Sequence, residues 1–381
     1  MKILFIQKEG GIFGAENFQL KIIPALLDKG VKIEFLRLYT DYQGGIGGDF
    51  ISQLNDIGVA TYEINIGKLP KFNKLIQIKK LIEEGEFDLV HTHLIHADLH
   101  LSLIKLFLGG ISCPWLSTKH GYDNAFTAKY GFNANKQTLT LYFLLTKLSE
   151  RLCDKSYTIS HGLRNFFIAT GITKAEKMDM IHYGFDLPET SDKLIDPDFK
   201  KFKKQIVIAG RLVAFKGHSY LLEALSLLRQ EMTGVGLVIV GSGGLKQQLQ
   251  DKVKTLNIES SVYFAGYSKE VSKWMYNSDV VAVPSISEGF GVVFLEAFNC
   301  KKAVVSWDVP AGNELLDHEK TGYLVQAYNI SALADQLESI LVNKDQAERV
   351  GNNSYEILKK DYSLNRMANE TLDLYQNLIK S

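Results

Sequence analysis

Val280-Val281-Ala282-Val283-Pro284-Ser285-Ile286-Ser287-Glu288-Gly289-Phe290-Gly291 runs on to Glu296, and the fold follows from how this stretch is read. The apolar run Val280–Val283 is a short buried strand, Pro284 stops it, and Gly291 to Cys300 carries the apolar spacing of a helix. Strand, turn and helix in that order are the repeating piece of a parallel α/β sheet. Glu288 then stands in the turn and Glu296 on the helix, eight positions further on. Backbone N–H groups from Gly289 to Val292 lack intrahelical partners, so a phosphate or a sugar hydroxyl can accept from them. Two carboxylates at the ends of such a turn can grip two sets of vicinal hydroxyls, which suits a sugar nucleotide. An acidic helix cap followed by an unrelated surface glutamate would have the same sequence.

The same alternation extends in both directions. Upstream, strands are predicted at Ile3–Gln7, Lys32–Leu38, Ala60–Ile64, Asp88–His93, Trp115–His120, Lys155–Ser160 and Met178–His182. Helices are predicted between them at Glu16–Lys29, Lys74–Glu84, Ala97–Leu108, Lys136–Arg151 and Gly162–Thr170. Leu187 to Lys204 turns polar, with Pro188 and Pro197, as a linker would. A second series of strands follows at Ile206–Ala209, Leu237–Val240, Val262–Ala265, Val280–Val283, Ala303–Ser306 and Tyr323–Val325. Two doubly wound domains in tandem are expected, with ligands beyond the carboxyl ends of the strands.

Composition narrows the class of partner. The chain has 381 residues, 46% hydrophobic and 23% charged, with Lys+Arg and Asp+Glu both at 43. Charge stays near neutral on either side of Asp186, so no concentrated basic surface points to nucleic acid. Cys113, Cys153 and Cys300 are scattered and lack metal-ligand spacing, which fits buried thiols in a reducing compartment. A strand pattern begins at Lys2 without a signal segment, and no apolar run approaches the roughly 18 residues that span a bilayer. A cytoplasmic protein is expected.

Three glycine-bearing turns carry the remaining chemistry. Ile206–Ala209 leads into Gly210-Arg211-Leu212-Val213-Ala214-Phe215-Lys216-Gly217, which sets two cations in one loop before a helix. Their charges can converge on a diphosphate, Arg as a planar fork and Lys as a point charge. Val240-Gly241-Ser242-Gly243-Gly244-Leu245 follows a strand, but the third glycine and the acidic partner of a dinucleotide fingerprint are missing. It reads as a tight turn near a ligand. Lys8-Glu9-Gly10-Gly11-Ile12-Phe13-Gly14-Ala15-Glu16 opens the first helix and lets the backbone approach phosphate or sugar closely.

Taken together, Gly14-Ala15-Glu16, His120-Gly121, Ile181-His182-Tyr183-Gly184-Phe185-Asp186, Gly210-Arg211 with Lys216-Gly217, Val240-Gly241-Ser242-Gly243, Phe264-Ala265-Gly266-Tyr267 and Glu288 with Glu296 occur in a familiar order. The chain resembles the retaining glycosyltransferases of glycosyltransferase family four (glycosyl transferases group 1) over nearly its whole length. The resemblance implies an α/β GT-B fold of two Rossmann-like doubly wound domains facing across a cleft. Residues 1–186 would bind the acceptor, 187–361 the nucleotide sugar, and 362–381 would form a helix returning to the first domain. Arg211 and Lys216 would hold the donor diphosphate, Glu296 the ribose, and Glu288 the sugar, which would also take N–H bonds from Gly289, Phe290 and Gly291. Gly241 would belong to the donor site, and the backbone around Gly266 and Tyr267 would read the base. His120 would lie by the reacting face of the sugar and Gly14 would close over the donor. Phe13 departs from the pattern, because many relatives have another glycine there.

The implied reaction moves a sugar from a nucleoside-diphosphate donor, UDP by default, to a hydroxyl of a glycan or lipid-linked acceptor, as in bacterial surface polysaccharide or glycolipid synthesis. No cofactor and no metal ion are implied. His91, His93, His96 and His100 form a cluster without carboxylate or cysteine partners at ligand spacing, so a metal site is not expected there. One of His91 and His93, which end a strand on one face, is a candidate to line the acceptor site. Lys68, Lys71, Lys74, Lys79 and Lys80, beside Leu69, Phe72, Leu75 and Ile76, read as a solvated helix face or as a peripheral contact with the inner surface of a membrane. Two rival functions use the same residues. A sugar-nucleotide epimerase would release free nucleotide and an altered sugar without an acceptor, and a non-catalytic binding protein would not hydrolyse the donor.

Overall fold

The computed structural model describes residues 1–8, 12, 14–40, 48–187 and 195–380. The glycine-rich part of the first loop (residues 9–11), the Phe13 departure and the linker residues 188–194 lie outside the described residues. The chain divides into two compact units. One comprises Met1–Asn124, Phe132–Gly184 and Leu364–Ser381, and the other Ala125–Gly131 and Phe185–Ser363.

The first unit is built on β1 (Lys2–Lys8), β2 (Lys32–Tyr39), β3 (Ala60–Asn65), β4 (Leu89–His93), β5 (Trp115–Lys119), β6 (Lys155–Thr158) and β7 (Met178–Met180), in the order β3-β2-β1-β4-β5-β6-β7. The second has β8 (Lys204–Ala209), β9 (Val235–Val240), β10 (Val262–Gly266), β11 (Val280–Val283), β12 (Val304–Trp307) and β13 (Tyr323–Val325), in the order β10-β9-β8-β11-β12-β13. Every pairing is parallel, with Ile3 opposite both Ile33 and Leu89, and Ile206 opposite both Leu237 and Val280. In both sheets the strand order reverses beside the first strand. The crevices that follow open between β1 and β4 and between β8 and β11, where doubly wound folds bind ligands.

Helices cover both sheets, which is why the central strands are almost uniformly apolar and buried. In the second unit Ile206, Ile208, Leu237 and Ile239 share a core with Leu221, Leu225, Leu333 and Leu337. In the first, Leu4, Ile6 and Val90 share one with Ile78, Ile82, Leu101 and Ile104. Each such side chain stabilises the fold by about 1.5–3 kcal/mol. One buried polar network interrupts the first core. Lys119 Nζ lies 2.5 Å from Asp98 Oδ2 and 3.1 Å from Glu150 Oε1, and Ser117 and Ser156 donate to the two carboxylates. Burial works against the Lys119 ammonium, but Asp98 and Glu150 outweigh it and hold its pKa well above the usual lysine range.

Several element boundaries differ from expectation. The helix predicted from Lys136 begins at Leu141, where Thr140 Oγ1 accepts from the Phe143 N–H at 3.1 Å, and Ala134–Lys136 is a separate 3₁₀ turn. Helices Gly48–Asp56 and Asn124–Tyr130 lie where none was predicted. The helix Lys344–Asp361 ends before Tyr362, whose carbonyl accepts from Phe185 N–H at 2.7 Å, and a new helix runs from Leu364 to Lys380. That last helix packs within the first unit, against the helix Gly14–Leu27.

Candidate functional site

In the second unit the turns after β8 and β11 lie against one another. Gly217 has φ +78°, and a Cβ there would sit 1.9 Å from the Pro284 carbonyl oxygen, so only glycine allows the approach. The Ile286 N–H donates to the Phe215 carbonyl at 2.7 Å and locks the two turns together. As a result Lys216 Nζ donates to Glu288 Oε1 at 2.5 Å, with both side chains largely buried. Arg211 is exposed, and its guanidinium and the Lys216 ammonium each lie 6.0 Å from the Phe215 ring centroid. Two cations therefore flank one aromatic ring at the carboxyl end of the sheet, and one of them holds the Glu288 carboxylate.

The chain then passes through Gly289 and Phe290 into Gly291, whose φ of +92° caps the helix Val292–Asn299 without any side-chain hydrogen bond. Phe290 turns its ring inward against Tyr362, at 5.9 Å between centroids, so a ligand can meet it only through its backbone. Glu296 is half-buried on that helix. Gly241 N–H donates to the Gly266 carbonyl at 2.7 Å, which ties the turn after β9 to β10, and Tyr267 next to it is exposed. Arg211, Lys216 and Glu288 thus share one locus. Glu296 is carried on the helix that follows Glu288, and Tyr267 lies after β10, two strands from β8.

In the first unit the ends of β4 and β5 bring three histidines together. His91 and His93 share one face, with ring centroids 4.2 Å apart. His91 Nδ1 bonds the Tyr375 hydroxyl at 2.7 Å and its Nε2 the Thr118 hydroxyl at 2.6 Å. His93 Nδ1 lies 2.9 Å from His120 Nε2, and His120 Nδ1 lies 2.7 Å from the Tyr183 hydroxyl. Phe18 stacks on Tyr183 and meets the His120 ring edge-on. Burial pushes His120 down to about 3, and it lowers His91 and His93 well below the usual range, with neighbouring histidines adding to the effect. All three rings are neutral near pH 7. Each then has one N–H to donate and one lone pair to accept with. His91 and His93 are buried, which leaves neither ring open to an acceptor in this arrangement. Gly14 is exposed at the start of its helix, and Glu16 just after it is buried and accepts from the Gln7 amide.

One further buried residue in each unit was not legible as a site residue. Tyr183 stands in a quoted motif, yet its bond to His120 joins positions 63 apart. His218 is buried directly after Lys216-Gly217, and neither ring nitrogen has a hydrogen-bond partner among the described residues. Burial and then Lys216 push it down to about 4. Its place after the lysine and glycine was the one available signal.

Residues 192–357 match the family model of glycosyl transferases group 1. Over 96% of this chain and 97% of its own length, an uncharacterized glycosyltransferase of Haemophilus influenzae is 25% identical. A 4-alpha-N-acetylgalactosaminyltransferase of Campylobacter jejuni, named for an N-acetylgalactosamine-N,N'-diacetylbacillosaminyl-diphospho-undecaprenol substrate, is 27% identical over 64% of both chains. Among solved structures, Anabaena HepE in complex with UDP-glucose superposes with a TM-score of 0.81 at 20% identity, covering 99% of this chain and all of its own. Staphylococcus aureus TarM superposes with a TM-score of 0.75 at 14% identity over 98% of each chain. The fold is that of the GT-B proteins.

Proposed function

We propose that this chain, a glycosyltransferase of the GT-B fold, transfers a sugar from a nucleoside-diphosphate donor to a hydroxyl of a glycan or lipid-linked acceptor, with retention at the anomeric carbon and without a metal ion. The observation that carries the reading is the meeting of Lys216 and Glu288 at 2.5 Å, with Arg211 beside the same ring, at the switch point of the second sheet. A cation pair next to a carboxylate matches the join between diphosphate and sugar in such a donor. In this assignment Arg211 and Lys216 take the diphosphate through charge-assisted bonds of about 1.5–3 kcal/mol each, which strengthen as the leaving group gains charge. Glu288 takes sugar hydroxyls, the backbone of Gly289 to Gly291 adds N–H donors, Glu296 takes the ribose, and Gly241 and the Tyr267 backbone border the nucleotide.

His120, neutral and tied at both ring nitrogens, is assigned to the reacting face of the sugar as a polar wall and not as a proton carrier. The acceptor proton passes to the departing phosphate oxygen on the same face, so the bond to the acceptor forms as the bond to the phosphate breaks. Gly14 is assigned to the donor as well. UDP is the preferred nucleotide because the HepE complexes contain it. The diphospho-undecaprenol substrate in the name of the Campylobacter relative favours a lipid-linked acceptor in bacterial surface glycan synthesis.

A panel of UDP-, GDP- and ADP-sugars, scored for binding and slow hydrolysis with and without EDTA, tests this reading. Binding and hydrolysis of a UDP-sugar, unchanged by EDTA, is expected. Loss of turnover with EDTA and its return with manganese or magnesium would overturn the metal-independent assignment, and failure to bind any of the three would overturn the donor site.

A further inference from the structure

The connection from β5 to the helix Leu141–Leu152 runs from His120 to Thr140, far longer than the roughly two to six residues usual between a strand and its helix. Part of it does not stay with the first unit. Ala125–Gly131 belongs to the second, while Asn124 on one side and Phe132 on the other remain in the first. At the end of this excursion a Cβ on Gly131 would lie 3.9 Å from the Ile286 carbonyl oxygen and 4.0 Å from Ser287 Cβ. The segment therefore rests on the turn after β11, one residue short of Glu288. Gly131 has φ +60°, a left-handed conformation that glycine takes without strain at the point where the chain leaves the second unit again.

Core packing does not account for the excursion. Ala125, Lys129 and Tyr130 are exposed, and Phe126, Thr127 and Gly131 are half-buried. A long connection that buries so little adds little stability, and connections of this kind carry binding residues. Its exposed aromatic side chain is Tyr130, at 38%. Phe126, one helical turn earlier, meets the Tyr130 ring at 5.3 Å between centroids, and the Lys129 ammonium lies 5.0 Å from the Tyr130 centroid. Both contacts restrict the ring. Tyr130 and Glu288 are each one residue from the contact of Gly131 with Ser287, so their Cα atoms are at most about 15 Å apart. That is close enough to hold neighbouring groups of one substrate complex.

Chemistry selects the occupant. A pyranose presents C–H bonds on its face and hydroxyls at its rim, and a partly exposed tyrosine offers a flat apolar ring with a wet hydroxyl end. Tyrosine gives such contact at a small cost in side-chain entropy. Glu288, largely buried against Lys216, and the N–H groups of Gly289 to Gly291 are assigned to the donor sugar, which leaves the exposed ring beside them to a second sugar. We propose that Tyr130 is a specificity-determining residue for the acceptor, its ring packing on the C–H face of the sugar that receives the transfer. The acceptor is then a sugar-terminated one and not a bare lipid phosphate. This inference rests on the placement of the donor sugar at Glu288.

Ligand-observed NMR with methyl α-glucoside, methyl α-galactoside and the methyl glycoside of N-acetylgalactosamine, each with saturating UDP, tests it beside calorimetry with UDP and UDP-glucose. At least one glycoside is expected to bind, with its C–H protons shifted upfield by the aromatic ring. Tyr130→Ala should weaken that binding about tenfold and abolish the shift, while Tyr130→Phe should keep both. Neither variant should change the affinity for UDP or UDP-glucose. Glycoside binding by Tyr130→Ala equal to that of wild type, or no glycoside binding by a wild type that does bind UDP, would overturn this proposal alone. Loss of UDP-glucose affinity in Tyr130→Ala, with or without loss of UDP affinity, would also overturn it, by assigning the ring to the donor or to the support of its turn. A wild type that binds neither UDP nor UDP-glucose would overturn the donor site itself, and this inference with it.

Discussion

Lys216 and Glu288 are 72 positions apart in the chain and joined by an ion pair at 2.5 Å. Each residue type in its turn was readable from the sequence, because a strand that ends in glycine or proline before a helix leaves few other arrangements. Their pairing was not readable, since it depends on β8 and β11 being neighbours and on the glycine that lets the two turns touch. The two glutamates are expected to separate experimentally. Glu296→Ala should weaken binding of UDP itself about tenfold or more, the loss of charge-assisted bonds to the ribose. Glu288→Ala should leave UDP affinity within a few-fold, because it frees Lys216 and removes only sugar contacts, and yet lower transfer about 100-fold. Calorimetry with UDP beside single-turnover kinetics would read both. Equal loss of nucleotide affinity in the two variants would show that they serve one subsite.

Between strands, the ends of β4 and β5 set His91, His93 and His120 in contact, and the consequence is a dependence of stability on pH. Their folded pKa values lie below the unfolded value of about 6.5, so between those limits the unfolded chain binds more protons. Stability is then fully present above pH 6.5 and is lost as pH falls below it, by up to about 1.4 kcal/mol per pH unit for each histidine. Denaturant unfolding from pH 7 to pH 5 should show this slope, and His91→Gln should make it shallower. A flat profile over that range would contradict the buried neutral rings. Element legibility followed burial. A strand such as Val280–Val283 was readable to the residue because both faces are covered and the apolar run is continuous. The start of the helix at Leu141 was not, because exposed Leu139 and Leu141 extend its apolar pattern without belonging to the core. Asn124–Tyr130 and Gly48–Asp56 were missed because each is short and offers only three or four apolar residues among polar ones to mark a face.

Across the molecule, two sheets that begin with the same strand order, reversing beside their first strand, explain why chemistry-bearing turns recur after β1 and β8. A net charge of zero leaves no global field to gather an anionic donor, so local cations must do it. That work falls to Arg211 and Lys216. The decisive measurement is turnover of Arg211→Ala and Lys216→Ala with a UDP-sugar, taken beside their melting temperatures. Turnover is expected to fall by about one to three orders of magnitude in each, because each substitution removes a contact that strengthens in the transition state. Arg211 is exposed, so its variant should melt with the wild type, while Lys216→Ala should lose a little stability through the partner it leaves behind. Near wild-type turnover in both variants would contradict the placement of the diphosphate on these two side chains, and with it the donor site proposed for the second unit.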